Sequence, residues 1–255
     1  MGLRFASLGS GSSGNAMLIQ SEETTVMLDC GFSCKETIKR LQQLEVEPQA
    51  IDAIVVTHEH QDHLGGVGVF SRRYQTPVWM SYGTAQVKRV GKLFQTHILS
   101  PHRSFAINDL DLEPFPVPHD ANEPVQYVFK ANSKRLGVFT DAGHVTPHIR
   151  AVLADLDALV IESNHDLDLL NNGSYSPSLK KRVAGPYGHL NNHQSAELAF
   201  GIYHSNLQHL ITAHLSQENN TPEHVAETFL EFFSGLPDGF EISTQDGGFD
   251  WCYID

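Results

Sequence analysis

Ile54-Val55-Val56-Thr57-His58-Glu59-His60-Gln61-Asp62-His63-Leu64-Gly65-Gly66 runs an apolar stretch straight into a His-x-His-x-Asp-His cluster. Side chains alternate faces along a strand, so His58 and His60 project to the same side just past its end and can share one ion. Asp62 and His63 follow where the chain leaves strand geometry, and Gly65-Gly66 lets the backbone turn toward a helix, so these two can reach a second ion. Imidazole and carboxylate donors without a thiolate favour zinc, with manganese or iron as the other candidates. A lone histidine on a loop signals little, but this spacing after an apolar run predicts a metal site.

One cluster cannot fill two coordination shells, so further ligands are expected downstream, each at a strand end. Leu112–Pro118 leads to His119-Asp120, Leu136–Thr140 to Asp141, and Leu210–Ala213 to His214. The expected assignment is His58, His60 and His119 on one ion, Asp62, His63 and His214 on the other, and Asp141 bridging both. A bridging aspartate suits the separation of roughly 3.5–4 Å that two-metal hydrolysis uses. Asp29, also at a strand end, is expected to hold ligand imidazoles in their tautomers instead of binding an ion directly.

The order Asp29, His58-x-His60-x-Asp62-His63, His119, Asp141, His214 resembles the metallo-β-lactamase-fold superfamily over nearly the whole chain. More narrowly, Ser10-Gly11-Ser12-Ser13-Gly14-Asn15, Glu162-Ser163-Asn164-His165-Asp166, Leu179–Val183, Gly188-His189-Leu190 and His214–Asn220 resemble the YycJ (WalJ) subgroup. That resemblance implies an αββα four-layer sandwich, two divalent ions, and a bacterial cytoplasmic nuclease acting on DNA from a 5′ end. It further implies that His189 contacts phosphate and can protonate the leaving oxygen, as an imidazole can near neutral pH. The chain departs from the subgroup at Asn191, where a serine is usual. Ser13 and Asn15 in the glycine-rich loop are expected at the substrate edge; the loop lacks the Lys-Ser/Thr ending of a P-loop, which excludes an ATPase reading.

The 255 residues are ample for one hydrophobic core, and the expected organisation is one domain over residues 1–255 with a small insertion around 163–190 near the cleft. No apolar window approaches a membrane span, and Met1-Gly2-Leu3-Arg4-Phe5-Ala6 enters a strand pattern without a signal-type apolar region, so a cytoplasmic location and no membrane partner are expected. Cys30, Cys34 and Cys252 fit reduced thiols better than a disulfide set. The net charge of −13 argues against a broad basic face for duplex DNA; two divalent cations facing Asp29, Asp62 and Asp141 would bring it to −9. Of the basic clusters, Lys180 and Arg182 are the residues expected to line a groove, because they lead into His189.

Apolar spacing predicts strands at 4–8, 16–20, 25–29, 51–57, 78–80, 110–117, 125–131, 136–140, 158–162, 208–212 and 240–243. Helices are expected at 34–44, 67–74, 84–94, 147–154, 194–204 and 222–233. The chemistry expected of such a chain is metal-assisted phosphodiester hydrolysis, with Asp62 orienting the water and His189 serving the phosphate. Three rivals share the motif: thioester or lactone hydrolysis, RNA processing, and a metal-loaded scaffold without catalysis. The span of 48 residues between Asp141 and His189 is too short for the large cap domain of RNA-processing relatives.

Overall fold

The computed structural model describes residues 2–255. Among the described residues fourteen strands form two seven-stranded sheets. One is built from β1 (Leu3–Gly9), β2 (Ala16–Gln20), β3 (Thr25–Leu28), β4 (Ala53–Val55), β5 (Val78–Ser81) and β6 (Thr96–Leu99), with the C-terminal β14 on its edge. The other comprises β7 (Phe105–Ile107), β8 (Leu110–Pro116), β9 (Val125–Ala131), β10 (Lys134–Phe139), β11 (Ala158–Glu162), β12 (His209–Ala213) and β13 (Phe240–Ile242); β14 spans Phe249–Ile254. Their orders are β14-β1-β2-β3-β4-β5-β6 and β13-β12-β11-β10-β9-β8-β7.

Period-two alternation sorts the side chains into layers. Val26 and Leu28 of β3 face Val138 and Val160 of the opposite sheet in a central core, while Met27 between them points outward. Outside the first sheet, Met27, Ile54 and Val56 pack on helices α1 (Cys34–Gln43) and α3 (Val67–Tyr74) through Leu41, Val67 and Phe70; the short helix α2 (Gln61–Leu64) lies between. After α4 (Tyr82–Ala85), the second sheet gains its own cover: Phe139, Leu159 and Ile161 meet Ile149 of α5 (Pro147–Val152), Ala196 of the later α8 and Phe229 of the later α9. Between them come α6 (Leu167–Asn172) and α7 (Pro177–Val183), then α8 (Asn192–Ile202) and α9 (Pro222–Phe232). The result is the αββα order expected from the sequence. Tyr127, fully buried between the sheets, donates its hydroxyl to Val56 O at 2.8 Å and so ties β9 to the strand that carries the metal motif.

Strands β3 through β6 run parallel, as do β10 through β13, so the end of each of these strands delivers its next residue to one edge of its sheet. Asp29, Asp141 and His214, which follow β3, β10 and β12, all take left-handed backbone (φ 59°, 53° and 58°). A side chain rarely holds that conformation without support from its surroundings, and such strain gathers where a site demands it.

Several boundaries depart from the sequence reading. The helix expected over 84–94 stops at Ala85, because the following segment has no buried face and Gly91 turns it with φ 71°. Strand β4 is only three residues long, so His58 and His60 lie beyond regular ladder geometry. The strands β6, β7 and β14 escape sequence reading: all three are edge strands with irregular burial, and β7 is only three residues long. Among the described residues no helix is long and apolar enough to cross a membrane. All three cysteines are free thiols, and burial pushes Cys30 up to about 12.

Candidate metal centre

The strand ends converge. Ligand-type atoms of His58, His60 and His119 lie within 4.8 Å of one another, as do those of Asp62, His63 and His214. Asp141 stands between the groups, its Oδ2 at 3.4 Å from His63 Nε2 and its Oδ1 at 3.9 Å from His119 Nε2.

Hydrogen bonds on the far side of each ring decide which nitrogen faces inward. Asp29 Oδ2 accepts from His63 Nδ1 at 2.8 Å; Glu162 Oε1 accepts from His214 Nδ1 at 2.8 Å; Gly188 O accepts from His119 Nδ1 at 3.1 Å. Thr57 donates its hydroxyl to Asp29 Oδ2, so its oxygen accepts from His58 Nδ1 at 3.0 Å. Four imidazoles therefore turn Nε2 toward the centre. His60 is reversed: its Nε2 meets Asp120 O at 3.2 Å and its Nδ1 faces His119 Nε2 at 3.2 Å. Donating one ring nitrogen to an oxygen leaves the other with the lone pair a cation needs.

Can these residues accommodate cations? His58 Nε2 and Asp141 Oδ2 are buried without a hydrogen-bond partner, an arrangement that costs free energy unless something of opposite character occupies the gap between them. The facing lone pairs of His60 and His119 make the same demand. The residues fit, with nitrogen and oxygen donors suited to zinc, manganese or iron.

Charge balance in the ion-free protein agrees. Burial raises Asp141, but His214 and His63 outweigh it and hold the carboxyl well below the usual range. Burial lowers His214, yet Asp141, Asp62 and Glu162 carry it up to about 10. Burial, with His63 adding, keeps His58 well below the ordinary imidazole value and hence neutral. Negative charge concentrated at Asp62, Asp141 and Glu162 is thus compensated by protons that cations would displace.

Glu162 is the residue sequence reading missed. Fully buried at the end of β11, it accepts from His214 and from His189 Nδ1, both at 2.8 Å on Oε1, while Oε2 accepts from Leu190 N (2.9 Å) and Ala142 N (3.2 Å). Burial would raise it, but His189 and His214 bring it down to about 2, fully ionised. Its signal was available: an acid after the apolar run Ala158–Ile161, the same grammar as Asp141.

A pocket of about 280 Å³ opens over the centre, lined by His60, Asp62, Asp141, His189 and His214 on one wall and by Tyr175, Leu179, Arg182 and Val183 on the other. Arg182 Nε donates to Asp120 Oδ2 at 2.6 Å across its mouth. Three of the residues expected at the substrate edge lie off the lining of this pocket. Ser13 is absent from this wall, its backbone N bonded to Gln245 Oε1, and Ser12 lines the pocket in its place. Asn15 is buried and donates to Asp62 Oδ2 at 3.3 Å, bracing the metal loop from beneath. Lys180 turns away to donate to Asn171 O at 2.7 Å, because residues 180 and 182 on a helix do not share a face. His165, in the same block as Glu162, is fully buried with no partner on either ring nitrogen and lies off the pocket wall; burial drops its pKa to about 4.

The fold and this imidazole–carboxylate centre define a metal-dependent hydrolase of metallo-β-lactamase architecture. Residues 24–214 match the beta-lactamase superfamily domain, and the chain belongs to that superfamily and, within it, to the group of YycJ and WalJ proteins. It is 35% identical to exodeoxyribonuclease YycJ of Bacillus anthracis over 96% of both chains. It is 34% identical to exodeoxyribonuclease WalJ of Streptococcus pneumoniae, covering 88% of this chain and 85% of that one. Its fold superposes on the metallo-β-lactamase fold protein YhfI of Bacillus subtilis with a TM-score of 0.75 at 14% identity, covering 99% of each.

Proposed function

We propose that the chain is a phosphodiesterase with two divalent metal ions, zinc first among the candidates and manganese or iron next, that removes nucleotides from the 5′ end of DNA. The observation that supports this most directly is the pair of ligand triads sharing Asp141 beneath a pocket that also holds His189. The preference for DNA rests on relatives named exodeoxyribonuclease that match along most of the chain.

In this reading His58, His60 and His119 hold one ion, Asp62, His63 and His214 the other, and Asp141 both. Bound there, the pair supplies Lewis acidity and a water acidic enough to ionise near neutral pH. Everything else falls to the protein. Asp62 takes its contacts from Asn15, His63 and His214 on Oδ2, and Oδ1 would accept a hydrogen bond from water and orient it. His189 has Nδ1 pinned to Glu162 Oε1, and although burial opposes it, Glu162 raises its pKa above the ordinary imidazole value, which favours the protonated ring. That leaves Nε2–H to bind a phosphoryl oxygen or to protonate the departing sugar oxygen. Arg182, held by Asp120 at the rim, offers the phosphate a guanidinium.

The test is cleavage of end-labelled single- and double-stranded DNA and RNA by metal-reconstituted protein, with a glutathione thioester as the rival substrate. Mononucleotide release from the 5′ end of DNA, lost in Asp141→Ala, is expected. Equal turnover by Asp141→Ala, or turnover of the thioester alone, refutes the reading.

A further inference from the structure

The pocket has two chemically different walls, and of the second the proposed hydrolysis uses only Arg182. Opposite the ligands, Tyr175, Leu179 and Val183 present an apolar stripe at four-residue spacing, so the last two share a face of α7 and Tyr175 continues it just before the helix. Helix α7 buries none of its residues, so this stripe is not part of a core. The Tyr175 ring is half-buried in the pocket wall, and neither its hydroxyl nor its ring has a partner among the described residues.

The geometry points to a base-binding subsite on this wall: the nucleobase of the terminal nucleotide stacks on Tyr175 against Leu179, while its phosphate reaches the metal ligands and Arg182. The inference rests on the phosphodiesterase reading and specifies what that site takes. A flat aromatic face with an apolar neighbour suits any base, because stacking needs only a π-face. A free hydroxyl at the ring's end can meet base-edge or sugar polar atoms without forcing a choice of sequence. A cavity of about 280 Å³ falls at the lower edge of small-ligand pockets, roughly 300–1,000 Å³, and matches one nucleotide, not a length of duplex. The terminal base therefore leaves its neighbours and enters alone, and the wall draws no sequence preference from it.

The experiment compares 5′-phosphorylated single strands that differ only in their first nucleotide, normal or abasic, on wild-type protein and on Tyr175→Ala and Tyr175→Phe. Wild type is expected to lose roughly tenfold in kcat/KM on the abasic end, the worth of one stacked base. Tyr175→Ala should lose about as much on the normal strand, mostly in KM, and no longer distinguish the two substrates. Tyr175→Phe should keep the discrimination. A second readout needs no turnover: 2-aminopurine at the first position, bound to Asp141→Ala, should be quenched, and the quenching should vanish in Asp141→Ala/Tyr175→Ala. Wild type that cleaves both ends equally overturns the subsite while leaving the phosphodiesterase intact. Failure of wild type to cleave any strand overturns the phosphodiesterase reading itself. Should Tyr175→Ala not fold, the wild-type comparison still decides.

Discussion

Glu162 gives one carboxylate oxygen to two imidazoles, at 2.8 Å each, and through them touches both the candidate metal centre and His189, the histidine proposed to serve the phosphate. Because it is ionised and buried, its charge as well as its geometry is spent on His189 and His214. Glu162→Gln preserves volume and one acceptor oxygen but removes the charge, so His189 loses the group that holds its proton. We expect kcat to fall about 10–100-fold with KM little changed, the loss typical of a group that orients ligands, and metal content close to wild type. Steady-state cleavage kinetics beside metal analysis would check it; an unchanged kcat would refute the role. Why the signal of this residue was weak in the sequence is physical. A single acid after a strand also describes a solvated turn, and nothing in the residues near Glu162 announces that His189 and His214, 27 and 52 positions away, return to meet it. The motif residues announced themselves because several donors sit within six positions.

At the scale of elements, the site is a set of strand ends held by close backbone approach. Gly31 lies against the loop bearing Asp62 so tightly that an added Cβ would fall 1.7 Å from Asp62 O. Asn15 N donates to the same carbonyl at 2.7 Å, and Gly31 N donates to Asn15 O at 2.9 Å. Gly31→Ala must therefore push the Asp62 loop outward. The expected result is at least about tenfold weaker metal retention against a chelator, since displaced second contacts cost 10–100-fold in affinity, together with a lower melting temperature. Retention equal to wild type would show that the contact relaxes harmlessly. This level also marks the limit of pattern reading. Apolar runs identify the central strands because both faces are buried, whereas the edge strands β6 and β14 alternate irregularly and helix α7 buries no residue in a core. Whether Ser12 or Ser13, Arg182 or Lys180, faces the pocket depends on loop and helix orientation, which only the assembled fold sets.

For the molecule as a whole, two sheets meet so that seven donor residues from distant parts of a chain with net charge −13 face one another. Imidazoles turned face to face and a carboxylate oxygen buried without a partner are tolerable in an ion-free fold only at a cost, so ligation should stabilise the native state by mass action. The order of these donors was readable because each obeys the same rule of apolar strand followed by ligand; the two-walled pocket above them was not, since its second wall comes from helices without a core-facing stripe. In the proposed two-metal reaction both triads fill and hydrolysis needs both. Metal-stripped protein titrated with zinc or manganese, while cleavage of a 5′-phosphorylated strand is followed, tests it most directly. The predicted trace is negligible without metal and climbs to a plateau at two ions per chain; full rate at one ion, or a rate indifferent to metal, would contradict it.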